Sequence, residues 1–259
     1  MTDKRRQKVS IVSYPKSGRT WLRVLIGKAL CDRFDLDEQV IFDKHRMAEA
    51  AGLHISYTHE DAGISDRRPY ADLGTDKSQY AKRKVLLLVR DPRDILVSCY
   101  CHLSKRTRSD AFRGSIAEFV RSDTYGIRKI LAFYNIWEAG RQALPETSVL
   151  RYEDMHADPR LSLRTVLDFI GAQDIDDAAI ARAVEYASFN NMKRLEEAKY
   201  FASRKMKPGD SEDDESYKVR RGVVAGYRDY LSPDDCRYID DVMAEVGCDF
   251  YPLTHRRAS

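Results

Sequence analysis

Lys16 stands in the octet Tyr14-Pro15-Lys16-Ser17-Gly18-Arg19-Thr20-Trp21, directly after the apolar run Val9-Ser10-Ile11-Val12-Ser13. The order predicts a strand, a tight loop carrying one lysine, and the start of a helix. Unpaired N–H groups and a positive dipole end make such a helix start a phosphate site. The usual nucleotide loop is Gly-x-x-x-x-Gly-Lys-Ser/Thr. Aligning Gly18-Arg19-Thr20 with its end puts Ser13 at the first glycine and Arg19 at the lysine. The loop therefore reads as a phosphate cradle that matches an ATP or GTP site poorly. Amides from Ser17 to Thr20 and the Thr20 hydroxyl face the anion, and Trp21 offers a flat surface to a base.

A second anchor lies at Lys84-Val85-Leu86-Leu87-Leu88-Val89-Arg90-Asp91-Pro92. Its continuous apolar run suits a strand buried on both faces of a parallel sheet. Asp91 and Pro92 then open a helix as N-cap and first residue. Arg90 falls at the strand's C-terminal end, where open α/β sheets bind ligands, and Ser98 follows about two helical turns on, within reach of the same anion. The competing role for Arg90 is an ion pair with Asp91 or Asp94. A histidine base for hydroxyl chemistry could be His54 or His59, and position alone does not choose between them.

The octet resembles the first signature of the sulfotransferases that use 3'-phosphoadenosine 5'-phosphosulfate (PAPS), usually Tyr-Pro-Lys-Ser-Gly-Thr-Thr-Trp, with Arg19 replacing the first threonine. Residues 84–98 resemble the family's second signature, whose arginine and serine hold the 3'-phosphate. Three further segments follow in the family's order: Arg151-Tyr152-Glu153-Asp154-Met155, Ser188-Phe189-Asn190-Asn191-Met192 and Arg220-Arg221-Gly222. The resemblance implies that Tyr152 meets the adenine, that Phe189 packs on it opposite Trp21, and that Arg220, Arg221 and Gly222 clamp the 3'-phosphate. His54-Ile55-Ser56-Tyr57-Thr58-His59 resembles the family's Lys-Thr-His, which selects His59 as the base and leaves Tyr57 where the family has a lysine. Ala187 stands where a threonine is usual, and Ala225-Gly226-Tyr227-Arg228 where Gly-Asp-Trp-Lys is usual.

The resemblance spans roughly residues 9–231 and implies sulfuryl transfer from PAPS to a hydroxyl acceptor, releasing 3',5'-ADP, without a metal. Lys16 would then stabilise charge on the bridging oxygen. The acceptor class stays open among small molecules, glycans and lipids, with Phe42, His45, Tyr57, Tyr100 and Phe112 as aromatic and polar candidates for its pocket. The alternative is a P-loop-type nucleotide or small-molecule kinase. It is disfavoured by the absent Gly-Lys-Ser/Thr and by the second basic cluster at Arg90, Arg220 and Arg221.

Composition agrees. The chain of 259 residues, with 43% hydrophobic and 33% charged residues, is the size of one sizeable α/β core, expected here as a single domain over 1–259. A formal charge of +3 is too slight to imply a nucleic-acid partner. The five cysteines have no Cys-x-x-Cys spacing, and the six histidines lack zinc spacing. No apolar stretch approaches the ~20 residues of a membrane span, and the charged leader Met1–Lys8 runs straight into the first core strand. The expected location is the cytoplasm, and the sequence does not give the oligomeric state.

The coarse pattern is α/β: strands near 9–14, 53–58, 84–90 and 147–151 alternate with helices, giving a parallel sheet flanked by helices around a P-loop-like nucleotide-binding core. Helices are expected at 18–33, 91–106, 115–121, 126–143, 160–170, 177–186, 190–198 and 233–246. Trp137 belongs to the apolar face of its helix and so to the core. Residues 61–83 read as a surface excursion. Residues 202–219 carry charges and almost no apolar side chains, which predicts a mobile lid whose order depends on ligand. The clusters Lys4-Arg5-Arg6 and His255-Arg256-Arg257 are expected to be solvated ends.

Overall fold

The computed structural model describes residues 8–106, 112–203, 206–207, 209–210 and 212–253, so both terminal basic clusters lie outside the described residues. Four strands, β1 (Lys8–Ser13), β2 (His54–Thr58), β3 (Lys84–Val89) and β4 (Glu146–Arg151), form one parallel sheet in the order β2-β1-β3-β4. Connections from β1 leave toward β2 and return on the far side to β3. The crevice therefore opens at the C-terminal ends of β1 and β3, the switch point where open sheets of this kind hold ligands. Both sequence anchors end there.

Alternation along the strands builds two cores. On one face Val9, Ile11, Leu86 and Leu88 pack beneath α1 (Arg19–Phe34), α7 (Pro159–Ile170) and α8 (Asp177–Tyr186). On the other, Val12, Val85, Leu87 and Val89 meet α3 (Pro92–Cys101), α5 (Ile127–Arg141) and α10 (Pro233–Val246). Trp137 is fully buried in the second core, as its helical face requires.

Two short helices were not legible in the pattern: α2 (Lys44–Ala51), which Asp43 caps by accepting from the amides of His45 and Arg46, and α6 (Tyr152–Ala157), which follows β4 without a loop. The remaining helices are α4 (Ile116–Arg121) and α9 (Phe189–Glu197). The helix expected over 91–106 is α only to Cys101 and widens into a π-turn over His102–Arg106. The excursion at 61–83 is made of 3-10 turns, and it is anchored rather than free. Buried Lys77 lies 3.1 Å from Glu60, which also accepts from the Trp137 indole N–H at 2.8 Å and from Gln79 at 3.4 Å.

The composition of 202–219 suggested a segment that packs little, but Met206 and Tyr217 are buried. The fully buried Glu196 carboxylate explains this. It accepts from the amides of Lys218 (2.8 Å) and Val219 (2.9 Å) and pairs with Arg106 at 3.1 Å. Arg106 donates in turn to the carbonyls of Ser216 and Lys207. Residues 204, 205, 208 and 211 of that segment lie outside the described residues.

Candidate active site

The phosphate loop is held open by backbone geometry. Lys16 (φ 70°) and Gly18 (φ 95°) take left-handed conformations, turning the chain from β1 into α1. A Cβ at Gly18 would lie 2.5 Å from Tyr152 Cδ2, so only glycine lets α6 close on the loop. No side chain caps α1, which leaves its first amides to an anion. Ser17 is fully buried beneath the loop, while Gly18, Arg19, Thr20 and Trp21 are half-buried along its rim.

His59 follows β2 directly. Its Nδ1 lies 2.8 Å from the Ser13 carbonyl, which only a protonated nitrogen can satisfy. That bond fixes the neutral tautomer and leaves the Nε2 lone pair free. Burial, then the charge of Arg19, lowers its pKa to about 3, with Lys218 and Lys16 adding to the effect. His54, at the opposite end of the same strand, lies away from this crevice.

Arg90 is fixed through its backbone: the Tyr134 hydroxyl accepts from the Arg90 amide at 2.9 Å and donates to its carbonyl at 2.8 Å. Glu153, just beyond β4, accepts from the next amide, Asp91, at 2.9 Å. The Arg90 guanidinium lies 4.1 Å from the Tyr152 ring centre and donates to the carbonyls of Lys16 and Val223. It also reaches Asp94 at 3.6 Å, one of the two ion pairs considered for this arginine, and its Nε is buried without a hydrogen-bond partner. Ser98 sits half-buried on α3, its carbonyl accepting from the His102 amide.

The side chains expected to meet the base gather near the α1–α9 junction. The Trp21 indole donates to the Ala187 carbonyl at 2.9 Å and meets Tyr152 edge-on at 5.8 Å. The Ala187 side chain, where a polar one is usual, is bypassed by this backbone contact. Phe189 is 38% exposed and lies against Gly222, where a Cβ would come within 2.5 Å of its ring. His156 Nε2 is 2.8 Å from the Gly222 carbonyl. Arg220 is held by Glu215 (3.0 Å) and the Tyr230 hydroxyl, and Arg221 by Asp229 (2.6 Å).

The cations of the site thus divide in two. Arg90, Arg106, Arg220 and Arg221 each have a carboxylate partner. Among the described residues Lys16, Arg19 and Lys218 have none, and Arg19 Nη1 is buried without any hydrogen-bond partner. Burial drives the pKa of Lys16 down to about 8, that of Arg19 to about 10 and that of Lys218 to about 7. Three desolvated cations with no direct carboxylate pair, all acting on one histidine, are the arrangement that an anion would stabilise, although the Glu196 carboxylate offsets part of the cost for Lys16 and Lys218. Sequence reasoning found Lys16, Arg19 and His59 but missed Lys218, whose only sequence signal is its place two residues before Arg220. It also missed His102, which burial and the charge of Lys16 likewise lower to about 3.

The candidate acceptor aromatics separate. Phe42 and Tyr57 sandwich the Arg23 guanidinium at 4.9 and 4.8 Å on the α1 face. Tyr100 and Phe112 pack with Phe119 and Tyr125 on the α3 face. His45 lies exposed on α2.

A parallel sheet whose switch point carries an uncapped helix start, a glycine cradle and unpaired cations defines an enzyme that handles a phosphorylated nucleotide. The chain belongs to the sulfotransferase family: the family's sulfotransferase-domain model matches residues 6–250. Curated relatives include cytosolic sulfotransferase 17 of Arabidopsis thaliana, 25% identical over 91% of this chain and 72% of the relative. Another is the amine sulfotransferase of Oryctolagus cuniculus, 21% identical over 93% of this chain and 81% of the relative. The fold is shared with mouse sulfotransferase SULT7A1 complexed with PAP (TM-score 0.63, 23% identity, 94% of this chain and 86% of that one). It is also shared with retinol dehydratase in complex with retinol and PAP (TM-score 0.67, 16% identity, 96% and 84%). The chain thus carries a sulfotransferase domain over nearly its whole length. The open cradle at Gly18 and the orphaned Arg19 and Arg90 nitrogens are compatible with an anionic nucleotide of the kind those two structures contain. The kinase alternative finds no support in these matches. Among the described residues no helix is long and apolar enough to cross a membrane.

Proposed function

We propose that the chain works as one domain that moves the sulfuryl group of PAPS to a hydroxyl acceptor, with His59 as the base. The observation that carries this reading is the Nδ1–H···O=C bond from His59 to Ser13, which leaves Nε2 ready to take a proton at the crevice. PAPS supplies an activated sulfur whose bond to the 5'-phosphate breaks as the acceptor oxygen attacks. Loop amides from Ser17 to Thr20 hold the 5'-phosphate, and Lys16 stabilises the charge that collects on it. Arg90, Ser98, Arg220, Arg221 and Gly222 receive the 3'-phosphate, the arginines trading protein carboxylates for it. Trp21, Tyr152 and Phe189 line the adenine.

A pKa of about 3 would make His59 a weak base, but its cause includes three nearby cations. An anion among them offsets that repulsion and raises the basicity of Nε2 when the co-substrate is in place. Closure of 202–219 over the nucleotide belongs to the same proposal, as does a cytoplasmic location, which the relatives named cytosolic support. Titration with 3',5'-ADP against ATP–Mg²⁺ tests the class of ligand. A panel of hydroxyl-bearing small molecules, glycans and lipids with sulfur-labelled PAPS then finds the acceptor. Binding of ATP–Mg²⁺ in preference to 3',5'-ADP would refute the reading.

A further inference from the structure

Lys218 has no counterpart in the roles set out above. It is half-buried, it has no carboxylate partner among the described residues, and its backbone is held on both sides. Its own amide and that of Val219 donate to the two oxygens of Glu196, and Arg106 pairs with one of the same oxygens. Arg106 closes the π-turn that begins at His102, one helical turn past Cys99, and the Cys99 thiol lies 3.9 Å from the Pro15 carbonyl. From the other side, Cys101 of α3 lies 3.3 Å from Glu215, which also holds Arg220. The segment 215–220 is therefore fastened across α3 and α9 beside the phosphate loop. His59 faces that loop from β2 through its bond to Ser13.

We propose that Lys218 is a catalytic residue whose ammonium, carried to the loop by the Glu196–Arg106 clasp, binds the 5'-phosphosulfate side of the nucleotide and stabilises the leaving phosphate. It supplies from the opposite wall the cation that Tyr57, beside His59 on β2, does not carry. Tyr57 is neutral, and its ring is occupied by Arg23. Burial together with the charges of Lys16, Arg106 and Arg19 lowers Lys218, against an opposing pull from Glu196, and Lys218 in turn lowers both His59 and His102, so these groups form one electrostatic cluster. A cation held unpaired and partly desolvated gains most from an anion and needs little reorganisation when charge develops. In the transfer, the sulfur–oxygen bond to the 5'-phosphate breaks as the acceptor oxygen bonds to sulfur. The acceptor proton goes to His59 Nε2, and the electron pair stays on the phosphate oxygen next to Lys16 and Lys218.

This inference rests on the proposed use of PAPS, and the test separates the two. Calorimetry on the full chain compares 3',5'-ADP with adenosine 3'-phosphate for wild type, Lys218→Met, Lys218→Arg and the double variant Lys218→Met/Tyr57→Lys. Lys218→Met is expected to weaken 3',5'-ADP roughly 10- to 100-fold and to leave adenosine 3'-phosphate unchanged. Lys218→Arg and the double variant should regain most of the loss. Equal weakening of both nucleotides would mean that Lys218 only props up the Arg220 clamp, and weakening of neither would mean that it faces elsewhere; either result overturns the inference. A wild-type protein that binds neither nucleotide would instead refute the functional reading, since the Lys218 comparison starts from its binding.

Discussion

His59 Nδ1 lies 2.8 Å from the carbonyl oxygen of Ser13, the last residue of β1 and the first step into the phosphate loop. One hydrogen bond thus joins the proposed base to the backbone that shapes the proposed anion cradle. The tautomer it fixes presents Nε2 to the same crevice that Lys16 and Arg19 charge. Because the partner is a main-chain carbonyl at a buried strand end, the imidazole orientation is set by the sheet, with the Ser13 hydroxyl 3.4 Å from the same nitrogen.

Gly18→Ala should disable nucleotide binding and destabilise the protein. The new methyl would meet Tyr152 at 2.5 Å, at a backbone angle of φ 95° that L-residues rarely take. Backbone strain alone costs about 1–3 kcal/mol, and displacing Tyr152 adds to it. Thermal unfolding and 3',5'-ADP titration measure both effects; an unchanged melting temperature with intact binding would contradict the geometry.

Arg90→Ala should weaken 3',5'-ADP far more than 5'-AMP. A charge-assisted hydrogen bond contributes about 1.5–3 kcal/mol, or roughly a 10- to 150-fold change in dissociation constant. Since Asp94 also neighbours Arg90 and accepts from the amides of Ala225 and Tyr227, the Asp94→Asn variant is the control for a structural effect. Equal losses for both nucleotides with Arg90→Ala would show that Arg90 does not read the 3'-phosphate.

The two unpaired lysines give binding a pH dependence with a definite sign. The pKa values of Lys218 (about 7) and Lys16 (about 8) both lie below the ordinary 10.5 because burial disfavours their charge. An anion between them favours the charged forms, so each pKa rises on binding and the complex takes up protons. Affinity for 3',5'-ADP should fall as pH climbs from about 7 to about 9, with roughly one to two protons taken up near pH 8.5. Calorimetry in buffers of different ionisation enthalpy counts them, and an absence of uptake would mean that the lysines do not meet the nucleotide. In the free protein the same depression makes the unfolded chain bind more protons. Folding stability should therefore rise with pH through this window, and bound nucleotide should flatten the rise.

Much of this arrangement was readable from residue order alone. The run Val85–Val89 announced a strand buried on both faces, and Asp91-Pro92 announced the start of α3, because both signals are local. The loop octet located the cradle for the same reason. What stayed hidden depends on distant partners. Segment 202–219 looked solvated because its own side chains are polar, yet Glu196 supplies the acceptors that fasten it, and no periodicity links position 196 to 218. Lys218 was invisible because what marks it, an ammonium with no ion-pair partner among the described residues, is a property of the fold. The π-turn at His102–Arg106 was read as continuous helix, since its widening answers to Arg106 reaching Glu196 and Ser216 rather than to any helix-breaking residue. Helix α2 escaped because eight residues with one buried side chain leave almost no apolar stripe.

Glu196→Ala should release that clasp. Three donors lose a buried carboxylate, and removing one partner of a buried pair costs about 3–5 kcal/mol. Hydrogen exchange at residues 215–220 should speed up in the free variant, and addition of 3',5'-ADP should slow exchange over the described part of 202–219 in wild type more than 5'-AMP does. Equal protection with and without nucleotide would show a segment packed independently of ligand.

The most direct measurement is turnover of sulfur-labelled PAPS to a hydroxyl acceptor by wild type, His59→Ala and His54→Ala, with 3',5'-ADP affinity determined on the same preparations. The account predicts that His59→Ala keeps its nucleotide affinity to within a few-fold while turnover falls by about 10²–10⁴, and that His54→Ala behaves as wild type. Wild-type turnover in His59→Ala, together with its loss in His54→Ala, would contradict the assignment of the base.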